Sequence, residues 1–129
     1  MAEQDPMSFR AERGRIALCM TCVPMGLDLA VTLCGGDQAH IGAVAVSQSR
    51  PSHVPGGPTS ATTSVIALLG HKEDGLARNL AGKFAARLDA AVTVACGIHM
   101  EAIAPGELQD ILEMAEELAT RALARITAP

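Results

Sequence analysis

The residues best suited to chemistry fall in one short run, Gly70-His71-Lys72-Glu73-Asp74, where an apolar strand pattern gives way to a helical one. A helix start offers unpaired N–H groups and the positive end of the helix dipole, which together attract phosphate. Lys72 adds a full positive charge, His71 a second donor, and Asp74 stands where an N-cap belongs. The competing reading is a solvated lysine beside an ordinary cap, since motifs this short often match by chance. Strand pairing brings more groups to the same rim. His40 opens one strand with Asp37 in the turn before it, and His71 follows the next strand. His99 and Glu101 arrive there too if their strand runs parallel to the one that ends before His71. Three imidazoles and two carboxylates at one rim could hold a phosphate, a metal ion or a polar ring system. Taken singly, each histidine could equally cap a strand end or meet solvent.

A second group is the hydroxyl run Thr59-Ser60-Ala61-Thr62-Thr63-Ser64, with Arg50 as the one cation between residues 16 and 70. Thr62, Thr63 and Ser64 suit phosphate or ribityl oxygens, and Arg50 could reach the same ligand from its loop. The alternative for the hydroxyls is local bonding to the backbone of a turn, and for Arg50 a plain surface position. Cys19 and Cys22 have the spacing of a redox pair, but redox pairs normally sit at a helix start. Here they fall in a strand, where residues three apart face opposite ways. No second pair completes a four-ligand zinc site, so buried structural thiols are expected. No Gly-x-Ser-x-Gly elbow, His-Glu-x-x-His pair or Walker loop occurs. His40 and His71 could act as general bases, yet nothing nominates a nucleophile for them.

The elements that must position these groups can be read from periodicity. Residues 16–24 form an apolar strand pattern, and residues 27–34 alternate with the period of a half-buried strand. Gly35-Gly36-Asp37 is a turn signal, and residues 41–47 resume as a strand, so the two predict a hairpin. Residues 49–63, rich in Ser, Pro, Gly and Thr, read as a long loop. Residues 64–69 form another strand, followed by a helix with Leu76, Leu80, Phe84 and Leu88 on one face. Residues 92–98 are a fifth strand. Pro105 starts a last helix, whose acidic first turns and basic last turn complement its dipole. Leu108, Ile111, Leu112, Ala115, Leu118, Ala122 and Ile126 form its apolar stripe.

At 129 residues the chain fits one domain, expected over residues 15–129 behind a flexible segment at residues 1–14. The pattern predicts an α+β fold: a mostly antiparallel sheet of five to six strands with two helices on one face. Only Asp28, Asp37 and Arg50 are formally charged between residues 16 and 70. The face without helices is therefore neutral, and a homodimer is the simplest way to cover it. A net charge of −4 and 2% aromatic residues exclude a nucleic-acid binder, which needs a basic face and often stacking platforms. No apolar stretch approaches the ~18 residues of a membrane span, and the acidic start lacks the marks of a signal peptide. A cytoplasmic protein with reduced cysteines is expected.

Four blocks occur in order: Gly36-Asp37-Gln38-Ala39-His40-Ile41-Gly42-Ala43-Val44-Ala45, Thr62-Thr63-Ser64-Val65-Ile66, Gly70-His71-Lys72-Glu73-Asp74 and Cys96-Gly97-Ile98-His99. Together they resemble the LpdD-like family, small D subunits associated with gallate and hydroxybenzoate decarboxylases, over nearly the whole chain. The resemblance implies a dimeric, non-catalytic chaperone with a fold similar to proteasome assembly chaperones. Such a protein would bind reduced prenylated FMN and deliver it to a UbiD-like decarboxylase, with a flavin prenyltransferase as a further conceivable partner. It makes His71 and Lys72 candidates for the cofactor phosphate, with His40, Thr62, Thr63, Ser64 and His99 as neighbours. Two readings compete with it. One is a structural subunit of a hydroxyarylic acid decarboxylase complex that never touches the cofactor. The other is an independent enzyme or metal protein using the histidine rim.

Overall fold

The computed structural model describes residues 5–68 and 73–129, so His71 and Lys72 lie outside the described residues. Strands β1 (Met7–Arg13), β2 (Ile16–Met25), β3 (Asp28–Gly36), β4 (Gln38–Arg50) and β5 (Ser60–Ala67) precede helix α1 (Asp74–Leu88). Strand β6 (Ala91–His99) and helix α2 (Pro105–Ile126) follow. The six strands form one sheet in the order β1-β2-β3-β6-β4-β5. All neighbours are antiparallel except β3 and β6. This is the expected architecture.

Two local expectations are corrected. The flexible segment gives way to β1 over residues 7–13, which pairs with β2 from Met7 opposite Cys22 to Arg13 opposite Ile16. Met7, Phe9 and Ala11 alternate with Ser8, Arg10 and Glu12, so period two was present under a charged outer face. Phe9 is 7% exposed and carries the guanidinium groups of Arg121 and Arg125 over its ring. The hairpin expected between β3 and β4 is also absent, because β6 is inserted between them. A short turn makes two strands antiparallel without making them neighbours. The strand with Val92, Val94 and Cys96 all buried takes the place with a partner on each side.

Helix-facing residues of every strand alternate with outward ones, and the core lies between sheet and helices. Leu80 and Phe84 of α1 and Met114 and Leu118 of α2 are almost fully enclosed against Leu18, Leu33 and Val94. Ser47 is the only buried polar side chain among the described residues, and Thr63 Oγ1 satisfies it at 2.8 Å. The opposite face is bare of helices. It shows Val44, Val46 and Ile66 at 37%, 50% and 73% exposure, and its charges stand at strand ends, Asp28 of β3 and Arg50 of β4, and at the β1 edge with Arg10 and Glu12.

The cysteines divide by face. Cys19 stands directly opposite Cys34 on the outer side, both half-buried, while Cys22 and Cys96 lie in the core. Burial pushes the Cys22 thiol up to about 11. Burial, with smaller effects from Glu73 and Cys34, pushes Cys96 up to about 12. Because the thiolate is the reactive form, Cys22 and Cys96 should react with a disulfide reagent at pH 8 only as fast as the protein unfolds. Labelling of either within seconds in native buffer, read by peptide mass, would contradict the placement.

Candidate functional site

The site is built by an irregularity in the pairing of β4 with β6. Ala39 pairs with Ile98 and Ala43 with Cys96, so three residues of β4, His40-Ile41-Gly42, stand against Gly97 alone. This is an enlarged β-bulge, a device that re-aims side chains at sheet rims. Gly97 permits it, since a Cβ there would overlap the carbonyl of His40 and come within 3.1 Å of the Gly42 nitrogen. The bulge brings the His40 ring to 6.5 Å from that of His99, nearly perpendicular to it. The expected meeting of His40 and His99 at one rim is therefore present.

Glu73 completes the cluster. Its Oε1 lies 3.4 Å from His40 Nε2 and accepts a hydrogen bond from the Ile98 N–H at 3.3 Å. The two side chains are only 18% and 13% exposed, so the pair is partly sheltered from water. Gly42 makes the room, because a Cβ there would overlap the Glu73 carboxylate. Glu73 also corrects the expected cap: it is the N-cap residue of α1, Asp74 is the first helical residue, and no side chain among the described residues caps the helix. The carboxylate turns back toward the sheet.

Asp37 reaches the rim, but as part of its frame. Its N–H donates to the His99 carbonyl at 2.7 Å, and its Oδ2 accepts from the Glu101 N–H at 2.8 Å. Arg15 ties this loop to α2, with Nη2 donating to the Glu101 carbonyl and Nε to Glu107 Oε2 at 2.6 Å. Glu107 also accepts from the Ala104 N–H, which is half of a capping box because alanine has no side-chain acceptor. The hydrogen bonds from Arg15, then that from Ala104, pull the Glu107 carboxyl down to about 2. His99 Nε2 lies 2.9 Å from Glu101 Oε1, at the solvent edge.

The hydroxyl run and Arg50 do not join this cluster. Arg50 is ten residues beyond His40 on β4, about 30 Å away at a strand's rise per residue. It donates to Thr62 Oγ1 at 3.0 Å. Thr63 is taken up by Ser47, and Ser64 pairs with Val46 in the middle of the edge strand β5 and is exposed. These groups bond across the β4–β5 ladder, in a strand that begins at Ser60 inside the expected loop. Among the described residues, no group of three or more His, Cys, Asp or Glu side chains could hold a metal ion. None of their helices is long and apolar enough to cross a membrane.

Two cavities flank the rim. One of about 350 Å³ is lined by Gln38, His40, Ile41 and His99. The other, of about 410 Å³, lies on the helix side between α1, the end of β6 and the start of α2, with Glu73 in its wall. The contact of His40 with Glu73 thus links the two. Sequence reasoning missed Glu73 as the partner of His40, and it missed the helix-side cavity. The available signal is an excess of apolar residues in the first turns of α2, where Leu108 and Leu112 extend the stripe beyond what the core encloses. They remain 54% and 42% exposed.

Residues 12–127 match the family model described as the prenylated flavin chaperone LpdD-like domain. Comparison with curated proteins finds no match. Seven chains of solved structures match. Among them is one from the crystal structure of a chaperone complex for yeast 20S proteasome assembly. It is 16% identical, with a TM-score of 0.56 over 92% of this chain and 97% of that one. At that identity the likeness is one of fold.

Proposed function

The chain belongs to the prenylated flavin chaperone LpdD-like family, and on that premise we propose that it binds reduced prenylated FMN and hands it to a UbiD-like decarboxylase. The observation that carries this reading is the family match across nearly the whole chain, joined to a rim where two imidazoles and a sheltered carboxylate flank two cavities. His71 and Lys72 immediately precede Glu73 in sequence, and in this reading they take the cofactor phosphate. His40 and His99 offer polar contacts beside them. With no Trp or Tyr and only two Phe in the chain, the flavin packs on aliphatic side chains. Without stacking partners it is held loosely enough to be passed on. Homodimerisation through the neutral sheet face belongs to the same reading.

The test exploits the missing chromophores. The protein, mixed anaerobically with reduced prenylated FMN or with plain FMN and then desalted, should retain the prenylated form and show it in an otherwise empty near-ultraviolet spectrum. Retention of neither flavin would defeat the carrier reading and favour a structural subunit of a decarboxylase complex. Lys72→Ala should weaken retention by roughly tenfold to a hundredfold, the range of one charge-assisted hydrogen bond, with an unchanged melting curve. Undiminished retention would place the phosphate elsewhere.

A further inference from the structure

We propose that the apolar cleft between the two helices, not the histidine-lined cavity on the outer face, receives the ring system of the flavin and its prenyl-derived part. This rests on the reading that the cargo is a prenylated flavin, and adds where and how the ring is recognised.

The cleft has a volume of about 410 Å³, within the ~300–1,000 Å³ typical of ligand pockets. Its walls are Leu76 of α1, Ile98 and Met100 at the end of β6, Ile103 in the loop, and Leu108 and Leu112 of α2. Ile103, Leu108 and Leu112 are 44%, 54% and 42% exposed, so large apolar side chains of one loop and one helix stand uncovered around a single concavity. Further along α2 the same stripe is shut against the sheet, with Leu118 and Ala122 fully enclosed. The stripe thus serves the core at one end of the helix and the cleft at the other. The outer cavity offers one aliphatic side chain, Ile41, among Gln38 and two histidines. An alkylated ring system leaves water more favourably for the first environment than for the second.

The polar groups of the cleft are few and chemically selective. Asn79 supplies an amide with both donor and acceptor, matching the alternating carbonyls and N–H of a flavin's pyrimidine edge. Glu73 has one carboxylate oxygen, Oε2, that is buried and accepts no hydrogen bond among the described residues. That oxygen lies against Gly42 of β4, out of reach of a ligand in the cleft. The negative charge of Glu73 disfavours the phosphate inside the cleft and leaves that end of the cofactor at the mouth. The pocket therefore discriminates by apolar area: plain FMN, without the prenyl-derived carbons, fills it less completely.

Leu112→Asp tests this at a residue exposed enough to be replaced without opening the core, with Val54→Asp as a matched control. Val54 is an exposed apolar residue, 66% exposed, in the loop between β4 and β5. Anaerobic titrations with reduced prenylated FMN and with plain FMN, followed by visible absorbance, read affinity and preference, and thermal melting verifies the fold. The wild type and Val54→Asp should bind the prenylated form at least tenfold more tightly than plain FMN. Leu112→Asp should lose at least tenfold in affinity for the prenylated form and with it most of that preference, while melting normally. If the wild type binds and Leu112→Asp keeps both affinity and preference, the ring is not in the cleft and this inference falls alone. If the wild type retains neither flavin, the carrier reading falls and takes the cleft assignment with it.

Discussion

Gly97→Val should cost the protein about 3 kcal/mol or more of stability, the upper range for overpacking, and abolish flavin retention. A Cβ at this position meets the His40 carbonyl and the Gly42 nitrogen. Both obstacles are backbone, so no rotamer change relieves the overlap. Strand β4 must then part from β6 or lose its bulge, and either outcome moves His40 away from His99 and Glu73. For a domain of this size the melting temperature should fall by roughly 10 °C. Gly106→Ala provides the contrast. Gly106 lies in α2 with open space where its Cβ would go, so alanine should leave the melting temperature unchanged or raise it slightly. Wild-type stability and retention in Gly97→Val would mean that the bulge does not shape the rim.

Val46→Glu should convert a dimer into monomers, with the association weakened at least a hundredfold. Val46 projects from the middle of the helix-free face, 50% exposed beside Val44 and opposite Ser64 of β5. Across the five strands from β2 to β5 the middle of that face presents small or neutral side chains, and charges stand only at strand ends, with Asp28 starting β3 and Arg50 ending β4, and along β1. A carboxylate buried there without a partner is penalised by several kcal/mol. Sedimentation velocity across a concentration series reads the change directly. Thiol chemistry reads it independently: Cys19 and Cys34, opposite one another on this face, should be protected in the dimer and react quickly in the variant. A wild type that stays monomeric at tens of micromolar would refute the proposed interface. So would a variant that remains dimeric with its thiols protected.

Side-chain periodicity along the chain was enough to assign most elements. Alternation in residues 27–34 and the four-residue spacing of Leu76, Leu80, Phe84 and Leu88 follow from the geometry of each backbone alone. Even the missed strand β1 carried its alternation, obscured because an edge strand turns Arg10 and Glu12 to water. Composition likewise determined the bare neutral face, since two helices can cover only one side of a sheet. The convergence of His40 with His99 was legible because strand direction follows from counting turns and crossovers.

Tertiary structure alone decided which strands are neighbours. Alternation states which way a residue points, not which strand lies beside it, so the insertion of β6 between β3 and β4 left no local trace. The bulge over Gly97, the pairing of Glu73 with His40 and the hollow beneath Leu108 and Leu112 all follow from that insertion or from the packing above it. Each depends on contacts between residues distant in sequence, whose energies are set only once the chain has closed around them.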